Sequence, residues 1–259
     1  MPELPEVETY RTYLNKTSLD QVVKKVSIRD DRVLEVDPKE LKEAVEGKKF
    51  HSTQRHGKYV FVDLKGEFLI LHFGMSGDLL YFEDLEEEPT HSRVLFSFEK
   101  GKYLSYISQR MFGKIYLTPS VEYFLKKKNL GPDALKMTYE DFLEALERRT
   151  AYAKTTLMNQ DVIAGIGNIY SDEILFQSHI HPKTHINTLT DSQLREVFEN
   201  IKKVLHYGIE KKGNLGEYSQ KCLIPHRDQE DNCPRCGTQI QRLSVSSRHG
   251  FFCPNCQKA

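Results

Sequence analysis

The chain has 259 residues, enough for one large domain or two modest ones with cores of their own. No apolar run is long enough to cross a membrane and the N-terminus lacks a signal-peptide pattern, so a soluble, cytoplasmic protein is expected. Net charge is zero, so bulk charge does not announce a nucleic-acid partner; yet Lys202 to Lys258 holds ten Lys or Arg against five Asp or Glu, and a local basic face suffices for phosphate binding.

The chain opens MPELPEVETY, where Leu4, Val7, Tyr10 and Leu14 recur at helical spacing and predict a helix from near Pro5. Proline suits a first helical turn, because its missing N–H has no partner there. Initiator Met is usually trimmed before a residue as small as proline, which would leave Pro2 with a free secondary amine. The runs 58–64, 67–73, 78–83, 93–107 and 114–117 read as short strands, with a hairpin loop at Glu99–Lys102, and imply an antiparallel sandwich or barrel. Glu83–Glu88 is an acidic, solvated loop.

Near 129–138 the pattern becomes helical. Thr138 with Asp141 marks one helix start, with Phe142, Ala145 and Leu146 on one face. Thr190 with Gln193 forms a capping box, and Leu194, Val197, Ile201, Val204 and Leu205 supply the buried stripe that follows. Between them, Gly165-Ile166-Gly167-Asn168 separates a helical segment at about 151–160 from another starting at Asn168. The two glycines allow a tight turn and a close approach, and the free N–H groups of the second helix make an anion site whose usual occupant is phosphate. A dinucleotide-binding turn is excluded, since position 170 is Tyr and the preceding segment is helical.

Cys233-Pro-Arg-Cys236 and Cys253-Pro-Asn-Cys256 are two CxxC turns at hairpin distance, the spacing of a closed, structural site for one zinc ion; two redox pairs or a disulfide framework are the alternatives, and a cytosolic chain disfavours disulfides. The segment between them alternates as a β-hairpin and carries Arg242 and Arg248 beside Phe251 and Phe252, a form that can enter a DNA groove. Cys222 is left over as an ordinary thiol.

PELPEVET at the start, GIGNIY at 165–170 and the four-cysteine hairpin at the end together resemble the formamidopyrimidine-DNA glycosylase / endonuclease VIII family, across the whole chain and in order. LHFGMSG (71–77), QRMFG (109–113), LGPD (130–133) and CPNCQK (253–258) fit the same family, and PELPEVE is more similar to its formamidopyrimidine branch. The resemblance implies an α+β multidomain fold: an N-terminal antiparallel β-sandwich with a catalytic helix (1–130), a helix-two-turns-helix DNA-binding domain (131–221) and a zinc β-hairpin finger (222–259). It implies a bifunctional DNA glycosylase/AP lyase acting on double-stranded DNA with oxidised bases or abasic sites, with a monomer sufficient.

The chemistry of the residues agrees. An α-amino group has a reference pKa of about 7.7–8, so the Pro2 amine is partly unprotonated near neutral pH and can attack C1′ of a flipped nucleotide. The resemblance makes Glu3 the proton carrier, with Lys58 and Arg248 completing the catalytic set at the lesion phosphates. Glu6 is a contact to lesion or sugar, or equally a first-turn helix carboxylate. His72, Asn168 and Arg248 correspond to a phosphate clamp, His91 and Lys154 to further DNA-backbone contacts. Met75, Arg110 and Phe112 correspond to a trio that fills the void left by flipping.

Two departures stand out. The segment 211–232, where the formamidopyrimidine branch carries a long capping loop, is short, and Asn159 replaces a common aspartate. An oxidised-purine preference therefore competes with an endonuclease VIII-like preference for oxidised pyrimidines. A non-catalytic binder of damaged DNA is the third reading; a retained Met1 would support it by burying the amine in a peptide bond.

Overall fold

The computed structural model describes residues 1–258. It divides into two compact units, one of Met1–Pro2 and Val7–Lys128, the other of Glu3–Glu6 and Asn129 onward.

The first unit holds most of helix α1 (Leu4–Thr17) and eight strands: β1 (Val23–Ile28), β2 (Ser52–His56), β3 (Tyr59–Asp63), β4 (Phe68–His72), β5 (Gly77–Phe82), β6 (Ser92–Phe98), β7 (Tyr103–Ser108) and β8 (Lys114–Thr118). They form two antiparallel sheets in the orders β1-β6-β7-β5 and β2-β3-β4-β8. One core joins them: Val26, Leu79, Phe96 and Leu104 from one sheet meet Val60, Val62, Leu69, Leu71 and Ile115 from the other, with Val7 and Leu14 of α1. This is the expected sandwich, with inward residues of both sheets sharing one interior. The run 93–107 splits at its loop into β6 and β7, as its glycine suggests.

Four elements of this unit were not expected from sequence. Edge strands β1 and β2 (VKKVSI and STQRH) carry too few apolar residues to stand out. Helix α2 (Pro38–Val45) is short, although the Asp37 cap and Pro38 at its first position were a readable start signal. Helix α3 (Val121–Lys127) is capped by Ser120.

The second unit contains α4 (Tyr139–Leu146), α5 (Ala153–Met158), α6 (Asn168–Gln177), α7 (Asp191–Glu210) and a hairpin of β9 (Gln241–Val245) and β10 (Arg248–Phe252). The Thr138 and Thr190 capping boxes form as expected, and Val197, Ile201, Val204 and Leu205 line the core. Helix α6 is buried nearly all round, from Tyr170 to Phe176. Such a helix must satisfy its polar side chains internally, and it carries Ser171, Asp172 and Glu173. No helix among the described residues is long and apolar enough to cross a membrane.

Candidate active site

The site grows from the N-terminus of α6. Gly167 is its cap residue and has no side chain with which to cap it. The missing partner is the Glu3 carboxylate: Oε2 accepts from the N–H groups of Gly167 (2.6 Å) and Tyr170 (3.3 Å), and Oε1 from that of Ile169 (2.8 Å). The glycines make this possible. A Cβ on Gly167 would lie 2.4 Å from Glu3 Cδ, and one on Gly165, whose φ is +119°, 2.5 Å from Leu4 Cδ1. The expected phosphate at this helix end is therefore corrected. The anion is the chain's own carboxylate, which takes the orphan donors and faces the positive end of the helix dipole.

Glu6 plays the reciprocal part at the start of α1. Its Oε2 accepts from the Glu3 N–H at 2.8 Å, and its Oε1 accepts from the Tyr170 hydroxyl at 2.9 Å. Tyr170 in turn accepts from the Tyr218 hydroxyl at 2.9 Å. Burial pushes the Glu6 carboxyl up to about 7; the Glu3 backbone hydrogen bond opposes this and the nearby Glu3 charge adds to it. Gly213 packs directly on it, since a Cβ there would fall 2.5 Å from Glu6 Cγ. Pro2 is half-buried, one peptide bond from Glu3, and Met1 is exposed.

In the first unit, Lys58 is the second residue of the tight turn between β2 and β3, and is 5% exposed. Gly57 takes a left-handed φ of +52° in the first position, as such hairpin turns require. Arg55, which the sequence reading passed over, braces the turn by donating to the Gly57 carbonyl (3.0 Å) and to Glu8 (3.1 Å). His72 ends β4 with its ring 4.8 Å from that of Tyr59. Burial, helped by the Lys58 and Lys128 charges, pushes its pKa down to about 4. At neutral pH it is an uncharged imidazole, able to donate one hydrogen bond but carrying no charge.

Met75 and Phe112 are exposed on two loops of the same unit. Gly74 brings these loops together: its φ is +57°, and a Cβ there would strike the Phe112 carbonyl carbon at 2.2 Å. The Arg110 guanidinium lies 5.4 Å from the centre of the Phe112 ring. His91 is exposed, with its Nδ1 3.2 Å from the Arg93 guanidinium, which also donates to the Ser108 carbonyl.

Lys154 corrects the sequence reading. Expected as a DNA-backbone contact, it is wholly buried. Its Nζ donates to Asp172 (2.6 Å), Ser171 Oγ (2.8 Å) and the Asn168 carbonyl (3.0 Å), which uses all three hydrogens. Burial draws its pKa below the ordinary lysine value, against the pull of Asp172. Asn168 donates one of its two amide hydrogens to the His249 carbonyl at 2.9 Å and so ties α6 to the hairpin. Arg248 is exposed at the start of β10, directly after the turn formed by Ser246 and Ser247, both left-handed.

Cys233, Cys236, Cys253 and Cys256 converge with all sulfurs within 4.8 Å of one another. Three sulfur pairs lie at 3.5–3.8 Å. A tetrahedral zinc with bonds of about 2.3 Å sets its sulfurs about 3.8 Å apart, so the four thiolates fit one structural zinc ion with no open position. Cys222 stands apart, its thiol pushed up to about 11 by burial.

The comparisons with known proteins run the length of the chain. The formamidopyrimidine-DNA glycosylase N-terminal domain model matches residues 1–115, the formamidopyrimidine-DNA glycosylase H2TH domain model residues 130–219, and the model of a zinc finger found in FPG and IleRS residues 232–259. Formamidopyrimidine-DNA glycosylase of Pediococcus pentosaceus is 36% identical over 273 residues, covering 99% of both chains. That of Streptococcus mutans is 32% identical over 272 residues, covering 100% of both. Among solved structures, the Lactococcus lactis Fpg in complex with abasic-site DNA superposes with a TM-score of 0.88 at 29% identity, over 99% of this chain and 100% of that one. The wild-type Lactococcus lactis protein in complex with DNA containing N7-benzyl-Fapy-dG gives 0.89 at 29% identity, over 100% of both.

Proposed function

Because the chain belongs to the formamidopyrimidine-DNA glycosylase family, we propose that it is a bifunctional DNA glycosylase and abasic-site lyase of base-excision repair. Removal of Met1 exposes the Pro2 secondary amine, which attacks C1′ of a flipped, oxidised nucleotide. The bond from C1′ to the base breaks, and the base leaves with a proton. Opening of the sugar ring gives a cationic iminium on Pro2. That electron sink allows elimination of the 3′ phosphate and then the 5′ phosphate.

The observation that supports this reading is the carboxylate of Glu3, the residue after Pro2 in the chain, 1% exposed and held by three backbone N–H groups. A proton carrier held by three hydrogen bonds keeps one orientation. Lys58, Arg248, His72 and His91 are the contacts to DNA phosphates, and His72 acts as a neutral donor. Asn168, with one amide hydrogen on the His249 carbonyl, offers the other to the phosphate clamp, and Lys154 acts through Asp172. Met75, Phe112 and Arg110 enter the vacated space in the duplex, the two apolar side chains replacing lost stacking. Glu6 borders the lesion, and its raised pKa gives it a proton to offer there. One chain carries every residue named, so a monomer bound to duplex DNA is enough.

The test is borohydride trapping on duplexes carrying 8-oxoguanine, thymine glycol or a bare abasic site. The expected result is an adduct mapping to Pro2, and base release and strand nicking that fall in Pro2→Gly. No adduct from a protein with Met1 removed would leave only damage binding. The lesion that traps best names the substrate. Oxidised purines follow from the family; a second reading, oxidised pyrimidines, is favoured by the short segment after α7, which holds only two 3-10 turns, Leu215–Glu217 capped by Asn214 and Ile224–His226, with Tyr218 buried between them.

A further inference from the structure

Asp172 lies inside α6 and its carboxylate is fully buried. It accepts from Lys154 at 2.6 Å, from Arg227 at 2.8 Å and from the backbone N–H of Phe251 at 3.1 Å. Two cations and a backbone donor therefore converge on one fully buried anion. The third donor belongs to β10, three residues beyond Arg248.

Beside it, Gly250 admits the strand to this cluster. A Cβ there would sit 2.8 Å from Lys154 Cε and 2.9 Å from Asp172 Oδ1. Two further ties flank Arg248: Asn168 donates to the His249 carbonyl, and Ser246 and Thr155 share a hydroxyl hydrogen bond at 2.9 Å. The strand is thus gripped through its backbone on α6, while the Arg248 side chain stays exposed.

We infer that Asp172 is a positioning residue for Arg248: by fixing the backbone of β10 it sets where that guanidinium meets a DNA phosphate. The inference rests on reading Arg248 as a phosphate contact. An apolar contact could hold the hairpin down but would let it slide; a charge-assisted hydrogen bond to one chosen N–H fixes register as well as distance. That is the accuracy a phosphate contact needs, since such contacts set the orientation of the protein on the duplex.

The test uses the full, zinc-loaded chain and a duplex with a tetrahydrofuran abasic-site analogue, with Kd measured across a salt series. Arg248→Ala is expected to lower the slope of log K against log salt by about 0.9, one phosphate contact. Asp172→Asn is expected to lose the same slope, and Asp172→Asn combined with Arg248→Ala to bind no more weakly than Arg248→Ala alone, with one zinc per chain in each. A purely structural role would instead weaken binding at an unchanged slope, and losses would add in the double variant; either result overturns the inference. Should Asp172→Asn not fold, Gly250→Ala keeps every charge and is expected to show the same slope loss and the same non-additivity, and a wild-type slope there overturns the positioning role alone. Unchanged binding in Arg248→Ala overturns the reading of Arg248 itself, and the inference with it.

Discussion

The N-terminus of α6 and the paired loops around Met75 and Phe112 hold their residues in opposite ways. At α6, Glu3, Lys154 and Asp172 are buried and fully hydrogen-bonded, and the glycines at 165, 167 and 250 exist so that other groups can come close. At the loops, one glycine locks backbone to backbone, while Met75 (43% exposed) and Phe112 (54%) keep their side chains in solvent. On the proposed mechanism Glu3 moves protons, and such a group has to be fixed to fractions of an ångström, where desolvation strengthens each hydrogen bond. On the same proposal Met75 and Phe112 are wedges for a base stack, which gain from being unpacked beforehand because their apolar surface is then buried only on binding.

The largest effect that would break this contrast is loss of the metal. Removing zinc with a chelator, or Cys253→Ser, is expected to abolish the hairpin and duplex binding together, since structural zinc in small fingers contributes on the order of 10 kcal/mol. Metal content and circular dichroism check it, and a metal-free chain with its hairpin intact would refute it. Next comes Gly167→Ala, which drives a methyl into Glu3 and is expected to cost about 1–3 kcal/mol in urea unfolding. Lyase activity should fall far more than that loss of stability alone explains.

A finer probe is Glu6→Gln. The Glu6 pKa rises from 4.5 to about 7 on folding, so the folded state binds the proton more tightly. The associated stability is fully present below 4.5 and is lost as pH climbs to about 7. Glu6→Gln should remove that slope and leave the protein more stable than wild type at pH 8, by up to about 3 kcal/mol. Parallel urea curves from pH 4.5 to 8 decide the point, and identical slopes in the two proteins would count against it. Smallest in stability terms is Phe112→Ala, expected within about 0.5 kcal/mol of wild type because the ring is exposed. Binding to a lesion duplex should nonetheless weaken, and a variant that unfolds early would show the loop to be core after all.

Sequence reading succeeded where the signal is local. The capping boxes at Thr138 and Thr190 and the paired CxxC turns are each a few adjacent residues with one geometric solution. It failed where partners are distant. Edge strands β1 and β2 owe their conformation to β6 and β3, not to apolar alternation of their own. Asp172 and Arg227 carried no visible pattern, because their roles come from meeting Lys154 and the backbone of Phe251, 18 and 79 residues away from Asp172.

By itself the sequence determined the family, the zinc ligands and the identity of the N-terminal residues, since motifs and spacing are properties of the chain alone. Only the tertiary structure decided what those residues touch. It placed Glu3 where phosphate was expected, because a helix N-terminus takes whichever anion the fold delivers first, and here that anion is covalently supplied. It also turned Lys154 from a surface cation into a buried brace, because one carboxylate on α6 offered its ammonium a better partner than water.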